Sequence, residues 1–368
     1  ALGASAPPIC AVGAELKNTV CLTRGERAYL SPHVGDLESL ETRAFFEEVM
    51  DKLAALLGVT PEIVAHDLHP DYASTRWALA SHLTGEAVQH HHAHIASCLA
   101  DNGHFAPVLG IAFDGTGCGP AGDLWGGEIL YADMIGFQRL AHLRPLALPG
   151  GEAAIREPWR LAVAALVDAG LPLDRLAGIP IGRRQTVARL CEKAPRATGA
   201  GRWFDAVAAL SGLCERVSYE GQAAIELEAI ADRECDQAYP FAFGESVPAP
   251  IDLRPTVSAI DADLRSSTPI SAIAGRFHRT LSEIVRAAVR RFAPRLGVSK
   301  VALSGGCFQN RILTETTKAL LEADGFEVLI HHRVPPNDGG IALGQAAVAA
   351  HRWQQRQNGS SHVSRHSG

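Results

Sequence analysis

Apolar and polar positions along this chain switch between two periods. Short apolar runs at residues 8–12, 18–23 and 27–30, separated by a polar turn at 13–17 and by Gly25, predict a strand meander opening a sheet. From Asp36 the period lengthens. Leu40, Ala44, Phe45, Val49, Leu53 and Leu56 recur at helical spacing, so a helix is expected with Asp36 as its N-cap, ending at Gly58. A short strand at 63–66 and a polar turn at 67–71 precede a His-rich helical segment. Residues 108–113 form a continuous apolar run closed by a glycine turn, with 124–131 as its hairpin partner. Residues 152–290 read as mainly helical, broken near 178–184 and 195–202, with loops around 245–255 and 262–269. Strand, glycine turn and helix then recur at 300–306 and from about residue 309. A last strand at 327–330 leads through Asn-Asp-Gly-Gly to a helix ending near residue 350. The expected fold class is α/β. It has two lobes, residues 1–150 and 151–353, with ligand and metal between them, and a flexible tail at 354–368.

Composition narrows the function. With 368 residues, 47% of them hydrophobic, the chain can bury a large core. With a net charge of -6 and no basic block, nothing in the charge balance argues for a nucleic-acid surface. The apolar runs are shorter than a membrane span, and no signal peptide opens the chain. Cys10, Cys21, Cys98, Cys118, Cys191, Cys214, Cys235 and Cys307 include no Cys-x-x-Cys, which favours reduced thiols and a cytoplasmic location. The Ala start points to a trimmed initiator or a piece of a longer protein.

The chemistry concentrates in a few segments. His90 and His94 are one helical turn apart and share a face, the spacing by which a helix offers two ligands to one metal ion. Asp114 and Asp338 stand in acidic glycine turns and are candidates to close that site. Gly115, Thr116 and Gly117 offer backbone and hydroxyl donors to a phosphate. Gly305 and Gly306 separate a strand from a helix start, where a nucleotide fits against the backbone, with Asn310 within reach of ribose or base. Cys307 sits there too, without a neighbouring base. Lys17 and Asn18 in the first turn suit a phosphate or carbonyl. Each has a plainer reading: a solvated His run, a tight turn, a helix cap. Two imidazoles with two carboxylates suit Fe(II), Zn or Mn.

Taken in order, Val88-Gln-His-His-His-Ala-His94, Phe113-Asp-Gly-Thr-Gly117, Trp125-Gly-Gly-Glu128, Leu148-Pro-Gly-Gly151, Arg156-Glu-Pro-Trp159, Tyr219-Glu-Gly-Gln-Ala223, Ser304-Gly-Gly-Cys-Phe-Gln-Asn310 and Asn337-Asp-Gly-Gly340 resemble the C-terminal part of the HypF family. These are hydrogenase-maturation carbamoyltransferases. The resemblance runs from about residue 8 to 350 and extends more distantly to TsaD and antibiotic O-carbamoyltransferases. It implies an actin/hexokinase-like fold. It also implies a mononuclear metal, usually iron, on His90, His94, Asp114 and Asp338, and a bound carbamoyl-adenylate or ATP. Asp205, Glu220 and Gln222 match segments facing the ribose. The implied reaction is carbamoyl transfer to the C-terminal cysteine of HypE, with Lys17 and backbone donors stabilising developing charge. The zinc fingers and YrdC-like adenylating domain of full HypF are not visible in this chain. Rival expectations are another acceptor, an ATP-hydrolysing relative of the fold, or a scaffold.

Overall fold

A computed structural model describes residues 1–363, with side chains through Asn358. The chain opens with β1 (Ile9–Ala11), β2 (Cys21–Arg24) and β3 (Arg27–Leu30), followed by α1 (Leu40–Leu57), β4 (Ile63–Asp67), α2 (Ala73–Ala80), β5 (Thr84–Val88) and α3 (His90–Asn102). Next come β6 (Val108–Cys118), β7 (Leu124–Ala132), β8 (Phe137–Leu143) and β9 (Leu146–Ala147). Helices α4 (Glu152–Arg156), α5 (Trp159–Asp168) and α6 (Ile181–Leu190) lead to β10 (Arg196–Ala197), α7 (Ala200–Leu210) and α8 (Gln222–Ile230). Then follow β11 (Ala242–Phe243), β12 (Ala249–Asp252), α9 (Arg254–Arg265), α10 (Ile270–Leu296), β13 (Lys300–Ser304), α11 (Arg311–Ala323), β14 (Glu327–Leu329) and α12 (Ile341–Val363).

The same plan occurs twice. The first sheet has the order β3-β2-β1-β4-β5, and the second contains β8-β7-β6-β13-β14. In each, the first three strands are antiparallel and the last two join parallel to the strand that opened the half. This is the duplicated, two-lobed plan expected of an actin/hexokinase-like α/β fold. The sheets divide between β5 and β6, ahead of residue 150. The closing helices are exchanged: α3 lies on β6, β7 and β13 of the second sheet, and α12 lies on β1, β2 and β4 of the first. The two helices also pack on each other, so the central core is shared by both halves. They cross closely, since a side chain at Gly344 would meet the Ala93 carbonyl.

Several elements differ from the sequence reading. Asp36 does not cap α1. Its carboxylate accepts from the Lys17 N–H at 2.9 Å, and Ser39 caps the helix by accepting from Thr42 N–H. The buried face of α1 is Phe46, Met50 and Leu57, while Leu40 and Leu56 are exposed. Two apolar stripes compete on that helix, and packing against the first sheet selects one. Helix α2 and strand β5 replace the single expected connection. Asp-Gly-Thr-Gly is not a turn: β6 continues through it, with a bulge between Phe113 and Gly117. Strand β12 and the two ends of helix α9 occupy segments read as loops. Helix α12 continues through 354–363, where a tail was expected; residues 364–368 lie outside the described residues.

Candidate metal centre and cleft

Helix α3 begins where Gln89 accepts from the His92 N–H at 2.8 Å, while its amide donates to the Cys118 carbonyl at 3.0 Å. That cap ties the start of the His helix to the end of β6. Its first turn packs against the bulged strand with no room to spare. A Cβ at Gly117 would fall 2.7 Å from the His90 ring and 2.8 Å from the His91 ring. His90 and His94 therefore project together from a buried helix face toward Asp114 of β6 and Asp338, which opens the turn before α12.

One ligand atom from each of these four residues lies within 4.8 Å of all the others. His90 Nε2 is 3.5 Å from Asp114 Oδ2 and 3.6 Å from Asp338 Oδ1. His94 Nε2 is 3.6 Å from both. Neither Nε2 has a hydrogen-bond partner, although both rings are buried. Buried imidazole nitrogens are rarely left so. The spacing fits a single ion: tetrahedral ligands about 2.1 Å from a metal are separated by about 3.4 Å. The donor set accordingly fits one divalent transition-metal ion.

Charge supports this fit. Burial opposes protonation of His90, but Asp67, Asp338 and Asp114 outweigh it and raise its pKa well above the usual 6.5. His94 is raised by the same contest between burial and the facing carboxylates. Burial raises Asp114 and Asp338, yet the imidazoles prevail, holding Asp338 at about 2 and Asp114 well below its ordinary value. Without a metal the cluster pairs two carboxylates with two imidazoles that favour protonation, and a bound cation would take the place of those protons. Asp67, which sequence reasoning placed in a turn, ends β4 and accepts from His90 Nδ1 at 2.7 Å, fully buried. This fixes Nε2 as the nitrogen offered to a metal. Neighbouring His91 is kept neutral, first by burial and then by the charge on His90.

Two adjoining cavities meet at the cluster, sharing Asp114, Gly115, Arg202, Asp205, Glu220 and Asp338 in their walls. One, of about 300 Å³, is lined by Lys17, Gly306, Cys307, Asn310 and Asn337. The other, of about 320 Å³, takes in Thr116 and Gly117 and extends toward Glu15, His69 and Tyr72. Gly306 N–H donates to Asp114 Oδ1 at 3.1 Å. Gly305 has φ +98°, and a Cβ there would lie 2.7 Å from the Phe113 carbonyl carbon, so only glycine brings this turn against β6. Lys17, itself at φ +48°, pairs with Glu220 across the cleft. Burial lowers its pKa, but Glu220 and the site carboxylates outweigh this and keep it an ammonium.

The remaining expected residues fall in two groups. Asp205 and Glu220 line both cavities. Asp205 pairs with Arg202 at 2.9 Å, and burial raises its pKa. Asn310 stands in the cavity wall, but its Oδ1 caps α11 and its Nδ2 meets His278 Nε2 at 2.8 Å. Asn18 and Gln222 line neither cavity. The Asn18 amide donates to the Val12 and Ala14 carbonyls, bracing the Lys17 turn, and Gln222 accepts from Ser218 N–H. The Cys307 thiol is pushed well up by burial and by Asp114, so it is no ready nucleophile. Arg202, Tyr72 and His69 were missed. Nothing local marks them, since they reach the site only through folding.

Fold and site together define a two-lobed α/β cleft protein with a candidate metal centre between two ligand-sized cavities. Comparison narrows the class. Residues 4–101 match the family model described as HypF Kae1-like domain. Residues 110–345 match the model for the second subdomain of the carbamoyltransferase Kae1-like domain. Carbamoyltransferase HypF2 of Cupriavidus necator is 41% identical over 95% of the chain and 47% of its own length. A HypF homolog from the same organism is 40% identical over 95% of the chain and 93% of its own length. A crystal structure of full-length HypF in the phosphate- and nucleotide-bound form aligns with TM-score 0.90 at 37% identity, over 95% of this chain and 56% of that one. The chain belongs to the HypF carbamoyltransferase family, in its Kae1-like region. It spans about half the length of most of the curated relatives it matches.

Proposed function

We propose that this chain transfers a carbamoyl group from carbamoyl-adenylate to the C-terminal cysteine thiol of HypE, a step toward the cyanide ligands of [NiFe]-hydrogenase. The observation that carries this reading is the clustering of the four candidate ligands, two of which, Asp114 and Asp338, line the wall shared by two cavities, in a family with a phosphate- and nucleotide-bound member. His90, His94, Asp114 and Asp338 would hold the metal, Fe(II) by family resemblance, with Zn or Mn compatible with the same donors. When bound, it supplies Lewis acidity to a carbonyl or phosphate oxygen.

The chain's own groups do the rest. Backbone N–H groups at 115–117 would face the phosphate, the Gly306 N–H steadies Asp114 beside it, and the Lys17 ammonium neutralises charge developing on it. Asp205 and Glu220 accept from ribose hydroxyls, and Asn18 and Gln222 brace the turns that carry Lys17 and Glu220. The sulfur–carbon bond forms, the bond from the carbamoyl carbon to the AMP phosphate oxygen breaks, and the thiol proton passes to solvent. The acceptor brings its own nucleophile, consistent with an unreactive Cys307. Donor synthesis from carbamoyl phosphate and ATP is assigned to a YrdC-like domain, and the setting to the cytoplasm. Among the described residues no helix is long and apolar enough to cross a membrane.

The test is to mix the metal-analysed protein with HypE and follow the terminal cysteine by mass spectrometry. A carbamoyl adduct is expected from preformed carbamoyl-adenylate and not from carbamoyl phosphate plus ATP. His90→Ala should lose metal and transfer together. No adduct from either donor, with metal bound, would overturn the assignment in favour of a scaffold or another acceptor.

A further inference from the structure

The motif Trp125-Gly-Gly-Glu128 of β7 lines neither cavity, yet it ends in a carboxylate with no exposure at all. Glu128 Oε2 accepts from Arg139 Nε at 2.6 Å, and the Arg139 guanidinium lies 3.9 Å over the Trp125 ring. Glu128 Oε1 accepts from the Thr198 hydroxyl and from the Gly126 and Gly127 N–H groups, the last two at 3.2 and 3.4 Å. A buried ion pair is often no more stabilising than an apolar replacement of similar volume. The use of this one is therefore to be sought in what it holds.

It holds the underside of the bulge in β6. Strands β6 and β7 pair at Phe113–Gly127 and again at Gly117–Trp125, which leaves 114–116 without paired residues. Packing from below fixes this stretch instead. A Cβ at Gly126 would lie 3.0 Å from both the Asp114 and the Gly115 carbonyl oxygens. A Cβ at Gly199, next to Thr198, would lie only 1.9 Å from the Gly115 oxygen. The Gly115 carbonyl is thus seated against Gly126 and Gly199. Its peptide bond is trans, so the Thr116 N–H points the opposite way, away from Gly199. Gly115, Thr116 and Gly117 line the cavity of about 320 Å³.

We propose that Glu128 is the positioning residue of this bulge. Through Thr198 and the Gly126 and Gly127 amides it clamps the Gly115 carbonyl, and so aims the Thr116 N–H at a phosphate oxygen of the nucleotide. Glu128 touches no ligand and acts through Thr198 and Gly199. The proposal rests on the reading that the backbone donors at 115–117 face the phosphate. Its consequence is a loss confined to the phosphate end of the ligand.

The test compares AMP with adenosine, which differ only in the phosphate, as probes of the metal-loaded protein by calorimetry. Thr198→Val removes the hydroxyl in an isosteric side chain, and Glu128→Gln removes the charge that faces Arg139. Each should bind AMP about tenfold more weakly, the worth of one hydrogen bond to a charged group, with adenosine affinity unchanged. Thr198→Ser keeps the hydroxyl and should retain AMP binding. If Glu128→Gln fails to fold, the two Thr198 variants carry the comparison, with melting temperatures read alongside. Parallel loss of AMP and adenosine would mark a merely structural role and overturn the proposal. A wild-type preference for AMP that Thr198→Val keeps would defeat the proposal alone. A wild-type protein that binds AMP no better than adenosine would defeat the phosphate reading of 115–117, and the proposal with it.

Discussion

At the residue scale the candidate metal centre depends on Asp67 as well as on its four candidate ligands. The 2.7 Å contact to His90 Nδ1 orients the ring and holds its tautomer. Asp67→Asn should therefore weaken metal binding about ten- to hundredfold while leaving the fold intact, measured by metal titration alongside circular dichroism. The pH dependence has a definite sign. In the metal-free protein His90 and His94 have raised pKa values, so their contribution to stability is complete below about pH 6.5 and lost as pH rises through the raised values. Asp338, held at about 2, contributes above the ordinary carboxylate range and loses that contribution as pH falls through 2. The metal-free Tm should decline on the alkaline side. Metal affinity should rise with pH, because each bound imidazole must give up its proton. Affinity that falls as the pH is raised from 6 to 8 would contradict the assigned cluster.

At the element scale the site is built by two helices that cross between the sheets. Helix α3 brings both histidines, and the turn leading into α12 brings Asp338, so their separation sets the spacing of the candidate ligands. Gly344 lets the helices approach, and Gly117 lets α3 lie against β6. Gly344→Ala should cost about 1–3 kcal/mol by overpacking, seen as a lower urea midpoint. It should also reduce metal affinity, since α12 cannot shift without moving Asp338. Gly117→Ala presses on the His90 and His91 rings and should lower metal affinity more than stability. A variant of either glycine with unchanged metal affinity would show that the helix spacing does not control the site.

At the scale of the whole molecule, the shared central core makes the two halves interdependent, and buried neutral histidines make the assembly acid-sensitive. Burial lowers His278 to about 4 and His331 to about 3. Both are lowered groups, so the unfolded chain takes up protons that the folded one refuses, and stability is lost as pH falls below about 6.5. Each should cost about 2 kcal/mol at pH 5 relative to neutral pH, read from denaturant midpoints. His278→Gln should flatten that slope. A slope unchanged by the substitution would remove His278 as a source.

Much of this protein is legible in order along the chain. The meander, the His helix, the strand–glycine–helix segments and the four candidate ligands all rest on local signals: side-chain period, glycine where backbones meet, and the helical spacing of His90 and His94. What folding alone decided is what depends on distant partners. Which stripe of α1 is buried, the passage of β6 through Asp-Gly-Thr-Gly, and the assignment of Asn18 and Gln222 to bracing turns all depend on neighbours remote in sequence. So do the roles of Asp67, Arg202 and Tyr72, and the exchange of α3 and α12 between the two sheets. Local periodicity records which residues prefer burial. It does not record against what they are buried, because that free energy belongs to pairs of surfaces that meet only in the folded chain.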